Sequence, residues 1–104
     1  MTDGPHLGDA RRELDSNLTA PTKLTIMAVL VQLDEIEFGA LRDATGLSDS
    51  ALSKQLSSLQ AIGYLDLRKG YVGRRPRTWV RAAERGRDAF ARHVVALDAV
   101  IRPR

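Results

Sequence analysis

The sequence predicts a mainly α-helical fold with one small β-hairpin, an α+β domain with elements in the order α-α-α-α-β-β-α. Three observations predict it. Apolar residues recur at helical spacing up to Ile62, the pattern changes to strand-like alternation between Tyr64 and Arg81, and helical spacing returns from Glu84 onward. At 104 residues the chain fits one domain with a single modest core.

Each element has its own signal. Leu7 to Leu18 reads as a short helix with Leu7, Ala10, Leu14 and Leu18 on one stripe. Pro21, behind Thr19 as a candidate cap, suits the first turn of a second helix running to about Leu33. That helix is apolar almost all round, from Leu24 through Ile26, Met27, Val29, Leu30, Val31 and Leu33, which is the pattern of a largely buried helix. Glu37 to Thr45 gives a third, short helix carrying Phe38 and Leu41. Gly46 can end it in a left-handed conformation, turning Leu47 back toward the core. Ser48 is an N-cap candidate, and Asp49 in the first turn favours the positive end of a fourth helix that runs to about Ile62 and stops at Gly63. Tyr64 to Arg68 and Thr78 to Arg81 alternate as the two strands of a hairpin, joined by a turn-rich connection from Gly70 to Pro76. In the last helix Phe90, Val94, Leu97 and Ile101 share a stripe, with Ala89, His93 and Val100 beside it. Met1 to His6 and Arg102 to Arg104 read as loose ends.

Composition narrows the function classes. The absence of cysteine excludes a disulfide framework, a thiolate zinc site and a cysteine nucleophile. Aromatics are only 5%, which supplies stacking platforms for single-stranded nucleic acid poorly. No stretch approaches the roughly 18 apolar residues of a membrane span, and the N-terminus lacks a signal-peptide layout, so the expected location is cytoplasmic. No enzyme is expected. His6 and His93 are isolated, and Asp34, Glu35 and Glu37 read as a solvated turn rather than an acid/base pair. No cofactor or metal is expected, because His93 has no second histidine nearby.

The net charge of +3 hides a strong asymmetry. Residues 1–63 hold 5 basic and 9 acidic groups, whereas residues 64–104 hold 11 basic and 4 acidic groups. Arg68, Lys69, Arg74, Arg75, Arg77 and Arg81 follow one another with no acid between them, which makes a local field much stronger than the net charge suggests. The preference for arginine over lysine is also what a GC-rich genome produces, but codon bias does not place the arginines here. The fourth helix has Leu52, Leu56 and Leu59 on one face and Ser50, Ser53, Lys54, Ser57 and Ser58 on the other. Serine is a poor helix former, and a solvated face ordinarily mixes Glu with Lys. The face is therefore either a plain polar surface or one shaped for close approach to DNA, where small hydroxyls meet phosphates and base edges and Lys54 or Gln55 reaches further.

A short helix, a Gly-Leu turn and a second helix make a helix-turn-helix, and a basic hairpin follows it directly. Arg74, Arg75 and Arg77 suit the tip of a wing, since narrow minor grooves attract arginine.

Here the sequence resembles the winged-helix transcriptional regulators related to the MarR and ArsR families, in particular their small single-domain group. The matching stretches are Phe38-Gly-Ala-Leu-Arg-Asp-Ala-Thr-Gly-Leu-Ser48, Ala51-Leu-Ser-Lys-Gln-Leu56, Leu59, Gly63-Tyr-Leu, Lys69, Gly73-Arg-Arg-Pro-Arg-Thr78 and Gly86-Arg-Asp-Ala-Phe90. The resemblance covers about residues 17–100. It implies a homodimer that binds a near-palindromic DNA site, usually as a repressor, with Ser53 at a DNA-contacting position and Arg74 and Arg75 in the wing. Two departures stand out. Ala82 and Ala83 replace the Leu-Thr that precedes and caps the last helix in the family, and Lys54-Gln55 replaces a common Arg-His, which points to a different target sequence.

The expected organisation is an N-terminal arm and helix for dimerisation (1–18), a winged helix-turn-helix core (19–82) and a C-terminal dimerisation helix (83–104). Ser48, Ser50, Ser53, Lys54, Gln55 and Ser57 form the expected recognition-helix contacts, and Lys69, Arg74, Arg75 and Arg77 the wing contacts. Leu7, Leu14 and Leu18 at one end, with Phe90, His93, Val94, Leu97 and Ile101 at the other, are expected at a dimer interface, the alternative being that both stripes pack within one subunit. The expected partners are double-stranded DNA and a second copy. A small-molecule effector in a dimer cleft stays open, as does a winged-helix protein-interaction module that has lost specific DNA binding.

Overall fold

The computed structural model describes residues 7–103; the segment 1–6 and Arg104, both read as loose ends, lie outside it. The elements are α1 (Leu7–Arg12), α2 (Pro21–Leu30), β1 (Ile36–Glu37), α3 (Phe38–Thr45), α4 (Asp49–Ala61), β2 (Leu65–Val72), β3 (Arg75–Ala82) and α5 (Glu84–Ile101). Among the described residues, five helices pack around a three-stranded antiparallel sheet with strand order β1-β3-β2. The core is built from Ile26, Met27 and Leu30 of α2, Leu41 of α3, Leu52, Leu56 and Leu59 of α4, and Leu65, Val80 and Ala82 of the sheet. These are the apolar positions that the helical and strand periods select. Among the described residues no helix is long and apolar enough to cross a membrane.

The boundaries differ from the sequence reading where tertiary partners intervene. The first helix stops at Arg12 rather than Leu18. Asp15 closes a turn by accepting the Asn17 N–H at 2.8 Å, and its own N–H donates to Nδ1 of His93 at 2.9 Å. The phenol of Tyr64 donates to the same carboxylate. Asp15 therefore ties the chain after α1 to α5 and to the start of the sheet, and continuing the helix would break all three bonds. Burial, and then the hydrogen bond to Asp15, push the Tyr64 phenol above its ordinary range. The folded state then holds that proton more tightly than the unfolded chain. The stability it contributes is complete below about pH 10 and is lost as pH rises through the raised value. Urea midpoints measured from pH 9 to 11 should fall more steeply for the wild type than for Tyr64→Phe.

The second helix ends at Leu30, three residues before Leu33, and finishes in tight turns from Val29 to Gln32 and Leu30 to Leu33. Arg87 of α5 donates to the carbonyls of Val31 at 3.0 Å and Leu33 at 2.8 Å, satisfying acceptors that the helix end leaves open. Its N-cap is Ala20, with no side-chain bond, while Thr19 donates instead to Ser16 O. The last helix likewise starts at an uncapped position, Ala83.

The hairpin is longer than its alternation suggests. Val72 pairs with Arg75, so most of Gly70 to Pro76 is strand and the turn is only Gly73-Arg74. Gly73 takes φ +63 at the first turn position, which suits a two-residue hairpin turn matching the strand twist. The strand β1 was not expected. It is two residues long, too short for any period to show, and is recruited by pairing Ile36 with Val80 and Glu37 with Trp79.

Candidate nucleic-acid interface

The turn between α3 and α4 is set by local chemistry. Gly46 ends α3 at φ +72, and its N–H bonds to Arg42 O at 2.8 Å. Leu47 packs against the core from there. Ser48 then caps α4, its Oγ accepting the Ala51 N–H at 3.2 Å while lying 3.4 Å from Ser50 Oγ. Arg42 bridges the two helices through Asp49 at 2.9 Å, and Asp49 and Asp43 hold its guanidinium above the ordinary value. This network orients α4 relative to α3.

With Leu52, Leu56 and Leu59 buried, the opposite face of α4 presents Ser50, Ser53, Lys54, Ser57 and Ser58 to solvent. Residues 50–60 contain no acid. Gln55 is half-buried at the edge of this face, and Ser48 divides its hydroxyl between capping and the exposed surface. Helix α4 packs its apolar face toward β2, and the hairpin follows it directly in the chain.

The six basic residues of the hairpin region separate into two groups. On the sheet face turned away from the core, Arg68 pairs with Glu35 at 2.8 Å and lies 5.3 Å over the Trp79 ring. Arg77 is half-buried, pairs in register with Gly70 rather than sitting at the tip, and lies 3.9 Å from Glu37. Two of the three acids read as a solvated turn, Glu35 and Glu37, thus have partners, because β1 runs alongside β3. Glu37 also caps α3 by accepting the Gly39 N–H at 2.6 Å. Such exposed pairs stabilise by only about 0–1 kcal/mol each, but they offset local positive charge. Lys69, Arg74, Arg75 and Arg81 are exposed, and among the described residues they make no ion pair, Arg81 lying near the base of the hairpin opposite Asp66 and the other three further out. Three of the four unpaired cations of the hairpin therefore lie in its outer half.

The terminal helices α1 and α5 pack on each other. Two residues expected at a dimer interface lie inside the subunit instead. Leu18 is fully buried in the core, and His93 is 2% exposed, held by Asp15. Phe90, Leu97 and Leu14 are half-buried, and the side chain of Leu7 lies outside the described residues. Val94 and Ile101 are exposed, as is Val95 at 70%. Val95 escaped the sequence reading because its helical neighbours four residues away, Ala91 and Ala99, are too small to mark a stripe. Together with Ala10 and Ala96 they line an apolar groove of about 500 Å³ between α1 and α5, rimmed by Asp9, Glu13 and Arg92. Among the described residues no group of three or more His, Asp or Glu is placed to hold a metal ion.

Comparison with known proteins agrees with this architecture. A curated, uncharacterised protein of Methanocaldococcus jannaschii is 28% identical over 72 residues, covering 69% of this chain and 78% of that one. The solved structure of a transcriptional regulator homologue from Pyrococcus horikoshii superposes with a TM-score of 0.82 at 25% identity, covering 90% of this chain and 94% of that one. A homodimeric winged helix-turn-helix DNA-binding domain from Mycobacterium bovis, described as a possible ArsR-family regulator, gives 0.68 at 26% identity, covering 91% and 84%. The solved structures it resembles are MarR/ArsR-type transcriptional regulators, a fold and family of DNA-binding proteins rather than enzymes. The family model for the winged helix DNA-binding domain matches residues 22–101, from α2 through α5, and the chain belongs to that family.

Proposed function

We propose that the protein is a sequence-specific regulator of transcription that binds double-stranded DNA as a homodimer and represses by occupying its site. One observation carries the reading: an exposed, acid-free serine-lysine face on α4 is followed directly by a hairpin whose cations Lys69, Arg74 and Arg75 are exposed and unpaired among the described residues. In this reading α4 enters the major groove, with Ser50, Ser53, Lys54 and Ser57 toward base edges and phosphates and Gln55 at the margin. The hairpin is the wing and meets the flanking backbone or minor groove. Arg77, half-buried and 3.9 Å from Glu37, adds less to the wing's field than the unpaired cations.

A second copy supplies what one subunit lacks. The exposed stripe of Val94, Val95 and Ile101 and the groove beside it form an apolar surface of the kind that pairs across a two-fold axis. The Mycobacterium bovis domain of the same fold is homodimeric. Pairing would place two recognition helices about 34 Å apart, on successive major-groove turns. Val95→Glu should convert a dimer to monomers in sedimentation velocity, since the charge would be buried at the interface. A wild type already monomeric at micromolar concentration contradicts the dimer.

Selection of bound fragments from genomic DNA tests the whole reading. The expected yield is duplexes sharing two symmetric half-sites. No enrichment would favour a protein-interaction module of the same fold. On a selected site, Lys54→Ala should weaken binding by about tenfold, with a smaller loss on random duplex. Equal loss on both would make Lys54 a backbone contact.

A further inference from the structure

We propose that Tyr71 is a DNA-contacting residue at the end of the hairpin, laying its ring along the deoxyribose wall of the minor groove beside Arg74. This rests on the reading of the hairpin as a DNA-binding wing and adds to its charges an apolar contact with a hydrogen-bonding end.

Tyr71 is 76% exposed, more than any other large hydrophobic residue among those described. The chain has only five aromatic residues, and the other four, Phe38, Tyr64, Trp79 and Phe90, are buried or half-buried. Nothing in the fold requires a ring at this position. Its cross-strand partner is Pro76, next to the Val72–Arg75 pair that closes the turn, and the register is already set by the Gly73-Arg74 turn. The ring thus stands in water with no internal contact that explains it.

Strand geometry gives its direction. Side chains alternate along β2, so Leu65, Leu67, Lys69 and Tyr71 share one face. The inner part of that face packs into the core that α4 helps to build. Its outer part, with Lys69 and Tyr71, therefore lies on the α4 side of the sheet. Arg68 and Trp79 occupy the other face, where Glu35 offsets the charge. A duplex held by α4 runs on the Tyr71 side.

Charge selects the partner. Lys69 shares the ring's face, Arg74 lies in the adjoining turn, Arg75 lies across the strand on the opposite face, and residues 67–83 contain no acid, so the hairpin end suits a polyanion. Against the sugars of a duplex, the ring covers C–H groups. The phenol can donate to a phosphate oxygen or to the acceptors on the minor-groove floor. Tyr71 thereby fixes the depth to which the wing enters, while Arg74 and Arg75 supply long-range attraction.

The test uses the full chain and a labelled duplex recovered by selection with the wild type. Anisotropy titrations at several salt concentrations compare the wild type with Tyr71→Thr, which keeps strand propensity, and Tyr71→Phe, which removes only the hydroxyl. Tyr71→Thr should bind about tenfold more weakly with an unchanged salt slope, because the lost contact is apolar. Tyr71→Phe should retain most of the affinity. A second measurement needs no variant: tetranitromethane should nitrate Tyr71 in the free protein, and saturating duplex should suppress that reaction. Affinity for Tyr71→Thr within twofold of wild type, or nitration unaffected by duplex, overturns the proposal while leaving the wing itself standing. Loss of binding accompanied by a change of oligomeric state in sedimentation overturns it in favour of a contact between copies. A wild type that binds no duplex overturns both this inference and the reading beneath it.

Discussion

Replacing Gly86 by alanine should lower stability by about 3 kcal/mol and the thermal midpoint by about 15 °C. Gly86 lies on the first turns of α5, where that helix crosses the start of the sheet. A Cβ there would overlap the carbonyl oxygen of Tyr64 and come within 2.9 Å of Met27 Cε. The obstacle is backbone, so no rotamer change relieves it. The same carbonyl accepts the Ala83 N–H at 3.0 Å, which anchors the entry to α5, and α5 starts without a side-chain cap to compensate. Lifting α5 would also disturb the Arg87 bonds to the end of α2 and the His93 bond to Asp15. Gly8, with open space where a Cβ would go, is the control: Gly8→Ala should leave the midpoint unchanged or slightly higher. Circular dichroism melts check both. A Gly86→Ala midpoint within a few degrees of wild type would show that the α5–sheet contact is more yielding than its geometry implies.

Arg74→Ala combined with Arg75→Ala should weaken binding to every duplex and flatten the dependence of log K on log salt by about 1.8 per subunit, since each phosphate contact contributes about 0.9. In a dimer both wings contribute, so the expected change is about twice that. Arg68→Ala is the internal comparison. Its charge is offset by Glu35 and it lies on the Trp79 ring, so the slope should barely move. If Arg68→Ala flattened the slope as much as the double variant, the hairpin would meet DNA with its other face.

Most of the fold was legible because it depends on strong local signals. Gly46, Ser48 and the leucines at 52, 56 and 59 place α4 and its polar face without tertiary information. The hairpin was legible as an element but not in its length, since Gly70, Gly73 and Pro76 look like a loop until cross-strand pairing holds them in register. The strand β1 was illegible: two residues have no period, and only β3 makes them a strand. That omission hid the pairing of Glu35 and Glu37 with Arg68 and Arg77, and so which cations stay uncompensated. His93 misled for a related reason. On the helix it sits beside apolar residues, as an interface histidine would, but its acceptor nitrogen is used by the N–H of Asp15, 78 positions away in sequence. The serine-lysine face and the cations of the hairpin were readable as chemistry, whereas which of those cations stay unpaired required the tertiary pairing of Glu35 and Glu37.

The central claim is that the α4 face and the hairpin bind duplex DNA. The most direct measurement is the equilibrium affinity of the wild type for a selected duplex between about 50 and 200 mM salt, the range over which phosphate contacts change affinity strongly. The account predicts a linear decrease of log K with log salt, with a slope of several units that the Arg74/Arg75 double variant flattens. No measurable duplex affinity at the low-salt end, or affinity independent of salt, would contradict it.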